Sequence, residues 1–153
     1  MKRSAISLLQ GASSALFVDG DPEAISKYFA SDYVVHVTDE DIRGGHALIR
    51  SVVGLYRNAF PDLSVEVAVL METSDRVAWQ RTMRATHTGA FKGFPGTGQN
   101  MVWREMVVSR VVAGLITEEW VVTDLGERLL FARKAMSLKP STKTPRPRRA
   151  TKT

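Results

Sequence analysis

The 153-residue chain contains no cysteine, which excludes disulfides, thiolate metal centres, dithiol redox chemistry and a cysteine nucleophile. That absence suits a reducing compartment, and the cytoplasm is the expected location. No apolar run reaches the about 20 residues that a helix needs to cross a bilayer, so no membrane association is expected. The start, Met1-Lys2-Arg3 before a partly apolar stretch, has some features of a secretory leader. Gln10 and Gly11 interrupt it, and the spacing of Ile6, Leu9, Ala12 and Leu16 instead fits an amphipathic helix facing a core. Histidines number three, His36, His46 and His87, and no two stand at metal-ligand spacing on one helix, so no metal is expected. The glycines between Gly89 and Gly98 lack the lysine context of a phosphate loop and lie between strands rather than before a helix. No cofactor is expected.

Acidic residues are missing from the last fifteen positions, KPSTKTPRPRRATKT, which hold six of the 21 basic residues and three of the six prolines. The rest of the chain therefore has 15 basic residues against 16 acids, a net charge of about −1, and the overall charge of +5 belongs to the tail. With almost no apolar residue, that tail cannot offset the entropy of ordering. The expected organisation is one domain over residues 1–135 and a basic, proline-containing disordered tail over 136–153. The tail is either a solubilising extension or an electrostatic arm, the one feature through which nucleic acid would be held.

At 44% hydrophobic and 24% charged residues, the remainder has the composition of a globular domain. The periodicity predicts a helix over about Ser4 to Val18. A second helix is expected from Asp21-Pro22 to about Phe29, with Asp21 as N-cap and Pro22 at the first helical position. A short strand at Tyr33 to Thr38 and an acidic loop at Asp39-Glu40-Asp41 follow. A third helix from about His46 to Ala59 is closed by Phe60-Pro61-Asp62. From Leu63 onward the pattern turns to period two with β-branched residues. Strands are expected at about Leu63 to Glu72, Arg76 to Thr88, Asn100 to Val112 and Leu115 to Asp124. Helices followed by such a meander predict an α+β cone, three N-terminal helices packed on a curved antiparallel sheet, with an apolar pocket at its open end.

Four segments in order, GDPEAISKYFASDYVVH (20–36), AFPDL (59–63), THTGAFKGFPGTGQN (86–100) and ITEEWVVTD (116–124), are similar to the SnoaL-like polyketide cyclase family of the NTF2-like superfamily. The third is the most specific, with His87, Gly89, Phe91, Gly93, Pro95, Thr97 and Gly98 in the family's spacing. The chain departs from the pattern at Gly96 and Gln99 and in the ending LGERLLFARKAM. The resemblance implies an NTF2-like fold, a homodimer formed through the exposed sheet face, and an acid/base carboxylate at Asp124. One fold hosts many chemistries, so the site residues must carry the function.

Alternation groups Trp120, Val122 and Asp124 on one face, so a core-facing Trp120 would bring Asp124 inside, where an apolar pocket would raise its pKa. The other reading of Asp124 is a cap for a helix over Leu125 to Arg133. Trp79, Arg81, Met83, Ala85 and His87 share a face of their strand; if it is the concave one, Arg81 and His87 can bear developing oxyanion charge. The opposite register puts Gln80, Arg84 and Thr86 inside, and a structural role for His87 in holding the loop 89–98 also stands. His36 is expected at the pocket mouth. Trp79, Trp103, Trp120, Phe91, Phe94 and Met101 are candidate pocket walls or simply core. The expected function is cofactor-independent acid/base chemistry on a hydrophobic, carbonyl-rich small molecule, an aldol-type ring closure or an isomerisation, with Asp124 and His87 as catalytic groups. The alternative is a noncatalytic ligand-binding or dimerisation module.

Overall fold

In the computed structural model, residues 3–38 and 40–139 are described; the tail over 140–153 lies outside them. Helix α1 (Ala5–Ser13) begins at Ser4, whose hydroxyl accepts from the Ser7 amide, and it buries Leu8, Leu9 and Ala12. It continues as one π-helical turn (Ser14–Val18) that buries Leu16 and Phe17. The carboxylate of Asp21 accepts from the Glu23 amide at 3.0 Å and opens a 3-10 turn over Pro22–Ala24. The second helix is shorter than its sequence predicts: α2 spans only Ile25–Tyr28, because Phe29 turns extended and starts β1 (Phe29–Val37).

The acidic segment expected as a loop contributes a strand, β2 (Glu40–Arg43), antiparallel to β1 with Val37 opposite Glu40 and Val34 opposite Arg43. Its charges suit an edge position, where they discourage pairing with other chains. Helix α3 (Gly45–Ala59) follows, then β3 (Ser64–Glu72), β4 (Arg76–Thr86), β5 (Asn100–Val112), β6 (Leu115–Thr123) and α4 (Leu125–Ser137). The fold is α+β with six strands in the order β2-β1-β6-β5-β4-β3. The sheet is mixed rather than antiparallel throughout, since β1 runs parallel to β6. Helices at the N-terminal side are thus α1, the single turn of α2, and α3, and a fourth helix closes the domain and reaches Ser137.

One irregularity decides which residues look inward. Along β5 and β6, Val111 pairs with Ile116 but Arg110 with Glu118, so Thr117 is an extra residue on β6. A β-bulge of this kind shifts the alternation by one. Ile116 is inside before the bulge, and Glu119 rather than Glu118 is inside after it. The inner face of β4 and β5 follows odd numbers: Val77, Trp79 and Met83 on β4, and Trp103, Glu105, Val107 and Ser109 on β5, are all buried. Asp62, at the stop after α3, accepts from the amide and hydroxyl of Thr86, both at 2.7 Å, and ties the end of α3 to the end of β4.

The corner before α3 rests on one glycine. Gly45 has φ +53, and a Cβ there would lie 2.1 Å from the carbonyl oxygen of Ser31 in β1. An alanine would meet both the left-handed penalty and a backbone clash. Gly45→Ala is expected to lower stability by about 3 kcal/mol, read as a fall in the urea midpoint; Gly54→Ala, with open space at its Cβ, serves as the control that should not lose stability.

Candidate active site

Between α3, β1 and the inner faces of β4, β5 and β6 lies a cavity of about 400 Å³, within the size range of small-molecule sites. Its walls are mostly apolar, with Val35, Ile49, Val52, Val53, Phe91 and Val121 among them. The exposed lining residues Val37, Thr38, Leu55, Lys92 and Thr123 mark its mouth; the buried Phe17, Phe29, Tyr33 and Glu119 mark its inner end.

Two polar networks reach the cavity from the sheet. Arg81 on β4 and Glu105 on β5 are direct cross-strand partners. The guanidinium donates to Oε2 of Glu105 through Nε at 2.9 Å and also through Nη2. Tyr56 on α3 donates to Oε1 of the same carboxylate at 3.0 Å. The Arg81 cation also sits 4.7 Å from the Phe17 ring centroid and 5.3 Å from that of Trp79. Burial opposes this cation, but the charges of Glu105 and Glu119 outweigh it and hold the pKa of Arg81 above its ordinary value. The phenol of Tyr56 is pushed up chiefly by burial and then by the charge of Glu105, so it stays a donor.

In the second network, Glu119 on β6 accepts from the Tyr33 hydroxyl at 2.9 Å and from the Ser109 hydroxyl at 2.5 Å. Ser109 in turn accepts from the indole Nε1 of Trp79 at 2.9 Å. No cation makes an ion pair with Glu119 among the described residues. Burial raises its pKa above the ordinary 4.5, against the lowering influence of Arg81 and of its two hydrogen-bond donors. Tyr33 is likewise raised, first by burial and then by the charge of Glu119. The site thus joins a buried carboxyl of raised pKa, a fixed guanidinium and two phenol donors in an apolar chamber.

The predicted residues divide. Arg81 and Phe91 line the cavity as expected. Trp79 lies beneath it as a donor to Ser109, while Trp103 is wholly buried against Phe60. Phe94 pairs with Phe91 across a tight turn, and Met101 is buried core. His87 is on the expected face but fully buried away from the cavity, against Phe60. Its backbone pairs with Gln99 and Gly98, and its Nδ1 lies 3.3 Å from the Thr97 hydroxyl. It holds the base of the loop 89–98, and desolvation keeps its pKa low.

The expected faces of β6 and of His36 are corrected. Trp120 and Val122 face outward, Val122 being 66% exposed, because the Thr117 bulge moved the inward set to Glu119, Val121 and Thr123. Trp120 is sandwiched outside the cone, 4.8 Å from the His36 ring and 5.0 Å from the Arg76 guanidinium. His36 is therefore not at the mouth. Its Nδ1 is 2.5 Å from Asp41 and its Nε2 2.6 Å from Glu118, and these two carboxylates raise its pKa above 6.5.

Asp124 is not among the cavity residues. It precedes α4, with Oδ1 accepting from the Arg104 amide at 2.8 Å and Oδ2 facing Nε of Arg128 at 3.3 Å. Glu105, Glu119, Tyr33 and Tyr56 were not anticipated. The signal for Glu105 was present: it stands on one face with Met101, Trp103 and Val107, where an unpaired carboxylate would be costly. Among the described residues, no three His, Asp or Glu side chains are placed to hold a metal ion, and no helix is long and apolar enough to cross a membrane.

The family model for SnoaL-like polyketide cyclase matches residues 7–129. IdmH, a candidate polyketide cyclase from Streptomyces antibioticus, is 26% identical with a TM-score of 0.73, over 86% of this chain and 99% of its own. AclR, a candidate hydroxylase from Streptomyces galilaeus, is 30% identical with a TM-score of 0.71, over 84% and 95%. A candidate polyketide cyclase from Acidithiobacillus ferrooxidans is 27% identical with a TM-score of 0.74, over 84% and 93%. No curated protein matches the chain.

The elevated pKa of Glu119 has a definite sign for stability. A carboxyl whose folded pKa exceeds its unfolded one stabilises fully below the unfolded value and loses that contribution as pH rises through the folded value. Wild type should therefore lose stability relative to Glu119→Gln as pH rises above the ordinary carboxylate range and through the raised folded pKa of Glu119, measured as the difference in urea midpoints. A pH-independent difference would show that Glu119 titrates as an ordinary surface carboxyl.

Proposed function

Given that the chain belongs to the SnoaL-like polyketide cyclase family, we propose that it closes a ring in a hydrophobic, carbonyl-rich small molecule by acid/base catalysis, with Glu119 as the proton-transfer group. The observation that carries this reading is a buried carboxyl with a raised pKa, at the inner end of an apolar cavity and beside a fixed guanidinium.

The chemistry needs no redox partner. The Glu119 carboxylate removes a proton from a carbon beside a carbonyl, and the C–H electron pair becomes the enolate. Arg81 spends Nε and Nη2 on Glu105, which leaves Nη1 for the enolate oxygen. The enolate carbon then attacks a second carbonyl of the same molecule, and the new C–C bond leaves an alkoxide that takes the proton back from Glu119. Apolar walls hold the substrate folded with the reacting carbons close, which removes much of the entropic barrier. They also exclude water, which strengthens the interaction of Arg81 with the developing charge. Glu105 and Tyr56 act as positioning residues, since they hold the guanidinium in place. An isomerisation would use the same first proton transfer and return the proton at another carbon.

Asp124 at the end of β6 is the competing base, and matched isosteric changes separate the two. With synthetic aryl poly-β-ketones as substrates and ring closure followed by absorbance and mass spectrometry, Glu119→Gln should lower kcat by about 10²- to 10⁴-fold. Asp124→Asn keeps an oxygen for the Arg104 amide and should stay within about tenfold of wild type. Loss of turnover in Asp124→Asn with Glu119→Gln unaffected would transfer the role to Asp124. A product heavier by one oxygen atom would instead favour the hydroxylase description carried by AclR.

A further inference from the structure

Among the described residues, four charged side chains line the cavity: Arg81, Lys92, Glu105 and Glu119. At the inner end Arg81 and Glu105 neutralise each other, and Glu119 is engaged by two hydroxyl donors. Lys92 at the mouth is different. It makes no ion pair among the described residues, and its Nζ lies 5.8 Å from the ring centroid of Phe91, itself a cavity wall.

The backbone that presents Lys92 is unusual for a lysine. Phe91 and Phe94 exchange backbone hydrogen bonds at 2.9 and 2.8 Å, closing a two-residue hairpin turn. Lys92 (φ 44) and Gly93 (φ 84) both occupy positive φ there, the pattern of a type I′ turn, whose first central position favours asparagine, aspartate or glycine. A lysine in that position holds a strained backbone conformation. The turn places Lys92 at the rim where Phe91 enters the wall, so a lining cation without an ion pair among the described residues stands at the entrance.

We propose that Lys92 is a specificity residue that binds an anionic group, a carboxylate, on a ligand whose apolar, carbonyl-bearing body fills the cavity. This rests on the reading of the cavity as the substrate site and names the class of substrate it selects: an amphipathic acid with its apolar body inside and its carboxylate at the mouth. The apolar body gains from leaving water, the inner groups meet carbonyl oxygens, and Lys92 spares the carboxylate from desolvation, because the ammonium and the carboxylate stay at the solvated rim. A neutral ester of the same body should gain the first two contributions and lack the third.

The test uses a matched pair of probes, 2-naphthoate and methyl 2-naphthoate, titrated into the full-length protein by calorimetry at low salt. Wild type should bind the acid about two- to fivefold more tightly than the ester, as a partly solvated ion pair allows. Lys92→Met should remove that preference with ester affinity retained, Lys92→Arg should keep it, and added salt should weaken only the acid. Lys92→Gly, at home in the turn, guards against a folding artefact: it should bind the ester as wild type does and show no acid preference. Equal affinities in wild type, a preference that survives in Lys92→Met and Lys92→Gly, or binding of neither probe would overturn the proposal. Failure of Glu119→Gln to reduce turnover would overturn the catalytic reading alone, because the acid-over-ester preference is a binding measurement and does not involve Glu119.

Discussion

The side of the cavity that β6 builds depends on the parity set by Thr117. A strand presents alternate residues to its two faces, and one inserted residue exchanges the faces for every position that follows. Because of it Ile116 is packed in the core while Trp120, four positions later, is outside against His36 and Arg76. The same exchange puts Glu119 opposite Ser109, and Val121 and Thr123 along the cavity. Without the bulge, Glu118 and Trp120 would point inward and the cavity would be filled by an indole.

With Glu119 turned inward beside Glu105, the domain holds two buried carboxylates among the described residues, and each is made tolerable differently. Glu105 receives a guanidinium on one oxygen and a phenol on the other. A buried pair of this kind is seldom a net source of stability, because desolvating both charges consumes most of what their attraction returns. Its value here is geometric: it ties β4, β5 and α3 together beside the cavity and so orients Arg81. Glu119 lacks a cation of its own and is left with hydroxyl donors and a raised proton affinity. The fold therefore makes two acids of one residue type unlike through their partners alone, one the anchor for a cation and one held by hydroxyl donors with its pKa raised.

His87 and Asp124 show the opposite outcome, in which residues with chemical potential are used for construction. His87 is buried with its backbone paired to the far end of the loop 89–98, so it anchors the segment that carries Phe91 and Lys92 to the cavity. The Asp124 carboxylate engages the Arg104 amide and the Arg128 side chain, joining β5 to the first turn of α4. Both residues thus support the site from outside it.

The α+β class, the meander from β3 to β6, and the shared face of Trp79, Arg81 and His87 were legible in the chain, because alternation and turn residues act over a few positions. The family was legible for the same reason, since its spacing is written in short contiguous segments. Local pattern also marked Glu105 as a carboxylate on a core face, yet it could not say that Arg81 and Tyr56 would meet it. The parallel pairing of β1 with β6, the strand at Glu40–Arg43, the outward turn of Trp120 and the placing of Glu119 rather than Asp124 in the cavity were decided only by tertiary structure. Alternation tells which residues share a face, but which face lies inside depends on register. Here register was set by a bulge and by long-range pairings that no local pattern encodes.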